Sequence, residues 1–159
     1  MNDVEEELAG WMEDATSHFV SKGWPPIMAR SLAWLMVCDP QEQSPARIAE
    51  AVGASRASLT STLRVLTTSG LARAVVRPGD RTTYYRLTDE AWATSWRQQM
   101  SELKRFADLA RGGMEILGED SPRAARVREA YELYEFLSNE AGPLWDRWLE
   151  WKRDQDGER

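Results

Sequence analysis

The stretch from residue 44 to residue 87 constrains the fold of this chain more than any other segment. Two short segments with helical apolar periodicity begin at serines that can cap a helix, Ser44 and Ser55, and Gly53 lies between them. Two runs rich in β-branched and aromatic residues follow, with the turn Pro78-Gly79-Asp80 between them. The pattern predicts a helix, a tight turn, a second helix and a β-hairpin, in that order.

The same stretch carries a charge opposite to that of the rest of the chain. Residues 44–86 hold seven arginines and two acidic residues, a net of +5, and because the whole chain carries −6, the remainder sums to −11. Arginines neutralise phosphates, while acidic surfaces elsewhere limit indiscriminate binding to nucleic acid. The element order and the charge together predict a winged helix-turn-helix that docks on double-stranded DNA.

Composition bounds the rest of the molecule. The length of 159 residues suits one domain with helical extensions. The single cysteine, Cys38, allows no intrachain disulfide and favours a reducing compartment, so we expect a cytoplasmic protein. The acidic N-terminus does not resemble a signal peptide, and no apolar run approaches the ~20 residues that span a bilayer, so no membrane association is expected.

Amphipathic patterns on both sides of the basic stretch predict further helices. Residues 3–21 form one, and a second begins at Pro25-Pro26 and stops before Asp39-Pro40. Beyond residue 88 the chain reads as long helices with a coiled-coil-like apolar seam over 96–117, which predicts dimerisation. Gly142-Pro143 is expected to break the last helix.

We therefore predict a mainly α fold with a small β-wing (α+β). It divides into an N-terminal dimerisation helix (1–24), a winged helix-turn-helix DNA-binding domain (25–88) and a C-terminal helical region for dimerisation or effector binding (89–159).

The candidate DNA-binding residues follow from this arrangement. Small polar or arginine side chains at the start of a recognition helix reach base edges in the major groove, whereas other arginines meet phosphates. The residues predicted to read or approach bases are Ser55, Arg56, Ser58, Thr60 and Ser61, those predicted to meet phosphates are Arg64, Arg73, Arg77 and Arg86, and Arg81 would probe the minor groove. The alternative interpretation is an ordinary polar helix beside a solvated hairpin in which Asp80 pairs with a neighbouring arginine.

The segment AVGASRASLTSTLRVLTTSGLARAVVRPGDRTTYYRLT resembles the winged-helix core of MarR-type bacterial transcription regulators. Ser55–Leu66 matches their recognition helix, and Ser69-Gly70-Leu71 matches the K-G-[LWY] step into the wing. Asp80-Arg81 matches the D-x-R wing tip loosely, without the intervening residue, and Leu87-Thr88 matches the L-T that leads into the next helix.

The opening helix, the Trp34–Asp39 stretch and the long helix after residue 88 are more similar to the GbsR-like branch of that family. The resemblance implies a homodimer built from terminal helices, a palindromic operator, and a small-molecule effector that relieves repression. The short wing and the tryptophan-rich C-terminal part depart from the MarR pattern.

Two groups of residues allow alternative interpretations. The C-terminal aromatic residues either pack the helical dimer interface, which we favour, or cage a quaternary ammonium of the choline type; they are Trp92, Trp96, Tyr131, Tyr134, Trp145, Trp148 and Trp151. Cys38 is either a buried structural residue, which we favour, or an oxidant sensor, and Asp39 beside it would raise the pKa of its thiol.

The expected function is that of a sequence-specific DNA-binding transcription regulator, a repressor acting as a homodimer. The alternative is a winged-helix module that docks other proteins without specific DNA binding. The sequence contains no Cys/His cluster, no phosphate-binding loop and no G-x-S-x-G elbow, so we expect no metal, no cofactor and no enzyme activity.

Overall fold

The fold is given by a computed structural model that describes residues 3–157. Within that range the elements are α1 (Asp3–Ser21), α2 (Pro26–Val37), α3 (Pro45–Val52), α4 (Arg56–Thr68), β1 (Ala72–Val76), β2 (Thr83–Leu87), α5 (Ala91–Leu117) and α6 (Pro122–Gly157). This order confirms the predicted fold class, which is mainly α with a small β-wing.

The chain forms two compact units, the first ending at Ser95 and the second beginning at Trp96. The boundary lies inside α5, because this helix starts in the first unit and continues into the second. The functional boundaries predicted after residues 24 and 88 stay predictions.

Local chemistry explains where α3 and α4 begin. The Ser44 hydroxyl accepts a hydrogen bond of 3.3 Å from the Arg47 N–H, and the Ser55 hydroxyl accepts one of 3.2 Å from the Ser58 N–H. Each serine thus satisfies one of the N–H groups that the first turn of a helix leaves unpaired. Gly53 between the helices has a φ of +64°, a left-handed conformation that glycine adopts without steric cost.

The core of the first unit lies around α2. Leu32 of α2 is fully buried, as are Ile48 of α3 and Leu66 of α4. Side chains three or four positions apart on α4, Leu59, Leu63 and Leu66, all face this core, which leaves the opposite face of the helix to solvent.

The wing is a two-stranded antiparallel sheet whose register decides which side chains face out. Ala72 pairs with Leu87 against the core, so the next pair, Arg73 and Arg86, faces the other way. Gln43, in the loop before α3, also exchanges two backbone hydrogen bonds with Tyr85, of 2.9 and 2.8 Å. The start of α3 is therefore tied to the wing.

The second unit is an antiparallel helical hairpin of α5 and α6. Phe106 packs on Tyr134 with ring centroids 4.5 Å apart, and the Lys104 ammonium lies 3.8 Å from the Glu135 carboxylate. The buried hydrophobic residues of this unit are Ala107, Ala110, Met114, Ala124 and Ala141.

The predicted break at Gly142-Pro143 is wrong, because α6 continues through Pro143 to Gly157. A proline removes one N–H donor and crowds the preceding turn, but it does not remove the hydrogen bonds of the other residues. Ala141, two residues before Pro143, is buried.

Candidate nucleic-acid interface

The outer face of α4 carries the side chains that the sequence assigns to DNA. Arg56, Thr60, Ser61 and Arg64 are exposed and Ser58 is half-buried. The Thr60 hydroxyl donates to the Arg56 carbonyl and the Ser61 hydroxyl to the Ser58 carbonyl, both at 2.8 Å. These bonds keep the hydroxyls close to the helix surface, so the face is shallow enough for close approach of a duplex.

Three arginines of this region stand apart from the other candidates. Arg56 and Arg64 are exposed on α4, and Arg81 is exposed just after the wing turn. Among the residues that the structure describes, no carboxylate lies within ion-pair distance of any of the three guanidinium groups. Each is available to a phosphate without first breaking an ion pair.

Arg77 is held by a carboxylate from another element. Its Nη2 and Nε atoms donate to the Glu42 Oε2 at 2.6 and 3.1 Å, and its guanidinium lies 4.1 Å from the centroid of the Tyr84 ring. The hydrogen bond with Glu42 raises the pKa of Arg77 above its usual value.

Arg73 and Arg86, which face outward as a pair, share a second carboxylate. Arg73 lies 3.5 Å from the Asp89 Oδ2, and Arg86 forms an ion pair with the Asp89 Oδ1. The three wing arginines predicted to meet phosphates are thus already paired with carboxylates. The sequence analysis identified neither Glu42 nor Asp89 as part of the site.

Asp80 stabilises the wing turn, and Arg81 beside it has no ion-pair partner among the described residues. The Asp80 carboxylate accepts hydrogen bonds from the Thr82 N–H at 2.8 Å and from the Tyr84 hydroxyl at 2.9 Å. Both hydrogen bonds lower the pKa of Asp80, and the one from the Thr82 N–H has the larger effect. The hydrogen bond between Tyr84 and Asp80 also raises the pKa of Tyr84. The alternative in which Asp80 forms an ion pair with an arginine is not what the structure has.

A groove of about 670 Å³ lies among the loop before α3, the start of α3, α4 and the wing. Most of its lining comes from residues 40–47, and Arg56 and Thr60 of α4 and Thr82 and Tyr84 of the wing contribute to the rest. Glu42 also lines it, so an acidic residue lies in a groove bordered by the basic surface. An extended backbone strand would meet side chains of both the helix and the wing here.

Most of the C-terminal aromatic residues pack on other rings or lie beside the chain's own cations. In the first unit, Trp92 stacks on Phe19 with centroids 6.4 Å apart. In the second unit the chain's own cations already lie near the rings of Tyr131, Trp145 and Trp148, at 5.4 to 6.0 Å: Arg111 over Tyr131, Arg97 over Trp145 and Lys152 over Trp148.

The interpretation of Cys38 as a buried residue is confirmed. The thiol belongs to the core of the first unit, and burial raises its pKa, with Asp39 contributing in the same direction. Within residues 3–157, no three potential ligand side chains gather as a metal site would require, and no helix combines the length and the apolar character needed to cross a bilayer.

Comparison with known proteins identifies the family. A family model described as MmpR5-like MarR family transcriptional regulator matches residues 90–151. The HTH-type transcriptional regulator MmpR5 of Mycobacterium tuberculosis (strain ATCC 25618 / H37Rv) is 32% identical over 137 residues, which cover 86% of this chain and 83% of that protein. A crystal structure of a transcriptional regulator, 30% identical, matches with a TM-score of 0.77 over 91% of this chain and 99% of that one. With its winged helix-turn-helix, this chain belongs to the MarR family of transcriptional regulators.

Proposed function

We propose that this chain is a cytoplasmic repressor that binds a palindromic operator as a homodimer and is released from it by a small-molecule effector. The observation that carries the DNA-binding part is the set of exposed arginines without a carboxylate partner among the described residues, Arg56 and Arg64 on α4 and Arg81 on the wing. Cations that need not break an ion pair can neutralise phosphates at the lowest cost.

Residues of α4 and of the wing have different proposed contacts with DNA. Ser55, Arg56, Ser58, Thr60 and Ser61 read or approach base edges at the start of α4. Arg64 meets a phosphate, and Arg81 probes the minor groove from the wing. Arg73, Arg77 and Arg86 reach phosphates only by exchanging a carboxylate for a phosphate, so they contribute less than the sequence alone suggests.

The dimer is supported by the apolar surface of the second unit. Side chains of Leu109 and Ile116 on α5 are 70% and 87% exposed, and those of Leu133 and Phe136 on α6 are 55% and 62% exposed. Apolar patches of this kind mark interaction surfaces, and a second copy of the chain presents the same patch under two-fold symmetry. Helix α1 adds Val4, which is 64% exposed, in support of the terminal dimerisation helix.

We propose that the effector binds in the second unit. A groove of about 300 Å³ between α5 and α6 is lined by Trp96, Met100 and Trp145 together with the small residues Ala141 and Gly142. Its aromatic lining suits an apolar effector, and binding there would change the fluorescence of the two tryptophans. Membership of the GbsR-like branch stays a prediction from the sequence.

The first experiment measures fluorescence anisotropy of labelled DNA across a salt series, with the region upstream of the chain's own gene and a scrambled duplex. We expect tight binding upstream, much weaker binding to the scrambled duplex, and a linear fall of log K with log salt. If neither duplex is bound even at low salt, the DNA-binding proposal fails and a protein-docking module is favoured.

Two variants then test the assignment of residues. Arg81→Ala should weaken binding broadly or at an A/T-rich flank, because the minor groove reports width rather than base identity. Arg123→Ala, which removes an exposed arginine of α6, is the matched control and should leave the affinity unchanged. A loss of a single major-groove base preference in Arg81→Ala would contradict its place in the minor groove.

A further inference from the structure

Glu42 occupies an unusual position in the basic region. It lines the groove bordered by the loop before α3, α4 and the wing, and its side chain is 28% exposed. It receives two hydrogen bonds from Arg77, and the Tyr84 ring covers the same guanidinium at 4.1 Å. Arg77 is therefore held from two directions.

The hydrogen bonds on Tyr84 extend this arrangement. The Tyr84 hydroxyl donates to Asp80 at 2.9 Å, which fixes the ring under Arg77 from the other end. Asp80 in turn is anchored by the Thr82 N–H. The arginine that the sequence offers to phosphates is thus clamped between a fixed ring and a carboxylate.

A phosphate that approaches this groove meets two obstacles. It must displace the Glu42 carboxylate from Arg77, and the displaced carboxylate then stays close to the phosphate, where like charges repel each other. Asp89 holds Arg73 and Arg86 differently, because its own side chain is 67% exposed and can move into solvent.

We propose that Glu42 is a specificity-determining residue of the DNA interface, which holds Arg77 away from phosphates and so suppresses binding to non-operator DNA. This inference rests on the proposed function, because it presupposes that the surface of α4 and the wing binds duplex DNA. Binding to arbitrary DNA consists almost wholly of phosphate contacts, so one withheld cation weakens it directly. In an operator complex, base contacts fix the position of the protein along the DNA. A released Arg77 then adds to the affinity only if a phosphate lies within its reach.

The test compares Glu42→Gln with the wild-type chain on a labelled scrambled duplex. The amide keeps the shape of the side chain and removes the charge that holds Arg77. We expect tighter binding at low salt, by at least about threefold per subunit, and an advantage over wild type that shrinks by about threefold per subunit between ~50 and ~200 mM salt, since one added phosphate contact steepens the slope by ~0.9. On the upstream duplex the gain in affinity should be smaller. The ratio of the affinity for the upstream duplex to that for the scrambled duplex should therefore be lower in Glu42→Gln than in the wild type.

Glu7→Gln is the matched control. Glu7 lies on α1 in the same unit, is exposed and has no ion-pair partner among the described residues, so this variant removes the same formal charge without releasing an arginine. We expect wild-type affinity and salt slope on both duplexes. Equal tightening in the two variants would overturn the proposal, because the cause would then be net charge alone.

Arg77→Ala completes a double-mutant cycle with Glu42→Gln. In the wild-type background it should leave the salt slope on scrambled DNA nearly unchanged, with at most a small loss of affinity from the unpaired Glu42 carboxylate, and in the Glu42→Gln background it should abolish the gain. If Arg77→Ala alone weakens binding and flattens the slope by about one contact, then Arg77 already meets a phosphate and the proposal is wrong. A thermal melt of each variant reports whether it folds.

These outcomes separate the inference from the proposed function. If the wild-type chain shows no salt-sensitive affinity for either duplex, the proposed function fails, and this inference fails with it. If the wild type binds as expected but Glu42→Gln behaves like Glu7→Gln, only the role of Glu42 is refuted.

Discussion

The two compact units of this chain solve the problem of burying apolar surface in opposite ways. In the first unit, large side chains such as Leu32, Ile48 and Leu66 are fully buried among three helices and the wing. In the second unit the buried positions are mostly alanines, while Leu109 and Ile116 lie open to solvent. The first unit therefore has a core of its own, whereas the hairpin leaves several large apolar side chains uncovered.

The physical reason is the number of layers. A helix surrounded by others can bury a wide stripe, but two helices side by side cover only the narrow strip between them. The apolar side chains of the hairpin that lie outside this strip are buried only when another surface covers them, and that burial would stabilise the protein. The comparison predicts that core substitutions in the first unit unfold the protein, whereas substitutions on the hairpin surface separate its copies.

Leu66→Ala tests the first half of the comparison and has the largest expected effect. Leu66 is fully buried in the core. Its replacement by alanine removes three side-chain carbon atoms and leaves a cavity, which should lower the free energy of unfolding by about 3 kcal/mol. Chemical denaturation measures this loss. Val65→Ala, one residue away but 45% exposed, should cost no more than about 0.5 kcal/mol. Similar losses in the two variants would mean that this core is not the stabilising element.

The double variant Leu109→Glu, Ile116→Glu tests the second half. The two positions lie seven residues apart on the same face of α5 and are both exposed in the single chain, so the charges should not disturb its fold. We expect the dimer to weaken by about 2 kcal/mol or more, roughly thirtyfold in its dissociation constant, because buried charges would lack partners. Light scattering across a dilution series measures the mass.

The control is Val76→Glu, which replaces an apolar side chain of the wing that is 73% exposed by one glutamate. Its mass should equal that of the wild type. A wild-type chain that is already monomeric at micromolar concentration would refute the dimer, and loss of mass in both variants would show that the effect is not specific to α5.

The first unit was also the part that the sequence predicted best. Ser44, Ser55 and Gly53 act through their own backbone and nearest neighbours, so their positions in the sequence suffice to place α3, the turn and α4. The wing followed from β-branched runs on either side of a turn, and its strands lie within two residues of the predicted runs. Local rules succeed where the cause of the structure is local.

Pro143→Ala addresses the one helix for which a local rule failed. The sequence predicted a break there, yet α6 continues, which shows that the flanking turns outweigh the lost hydrogen bond. Because proline is ~3 kcal/mol less favourable than alanine in a helix interior and the surrounding helix has already accommodated it, we expect a gain of about 1 kcal/mol. Thermal unfolding followed by circular dichroism measures it.

Gly142→Ala is the companion variant, since a helical glycine with open space around it should gain up to about 1 kcal/mol from the same change. A loss of stability in Pro143→Ala would mean that the proline shapes α6 in a way that the hairpin requires.

The partners of the wing arginines could not be predicted in the same way. Glu42 lies 35 residues from Arg77, and the pairing of the Gln43 backbone with Tyr85 holds the loop that carries Glu42 against the wing. The sequence pattern does not distinguish these arginines from one another. In the folded chain, however, some of them form ion pairs with carboxylates that lie far away in the sequence. Asp89 was the easier case, since it lies three residues after Arg86.

The smallest expected effect concerns the acid titration of the wing. The Thr82 N–H and the Tyr84 hydroxyl hold the pKa of Asp80 below its usual range. A carboxyl whose pKa is lower in the folded state stabilises the fold above its unfolded pKa of ~3.9, and this contribution is lost as the pH falls through the lower, folded value. The stability difference between the wild type and Asp80→Asn should therefore be largest near neutral pH and should shrink in acid.

Nuclear magnetic resonance can follow this directly through the Thr82 amide, whose N–H donates to the carboxylate. We expect its chemical shift to move with a midpoint below ~3.9. Tyr84→Phe removes the second donor and keeps the ring under Arg77, so the midpoint should rise towards the ordinary value while the ion pair with Glu42 persists. A midpoint that stays low in Tyr84→Phe would assign the shift to the backbone N–H alone, and a wild-type midpoint at or above the ordinary value would contradict the hydrogen-bonded turn.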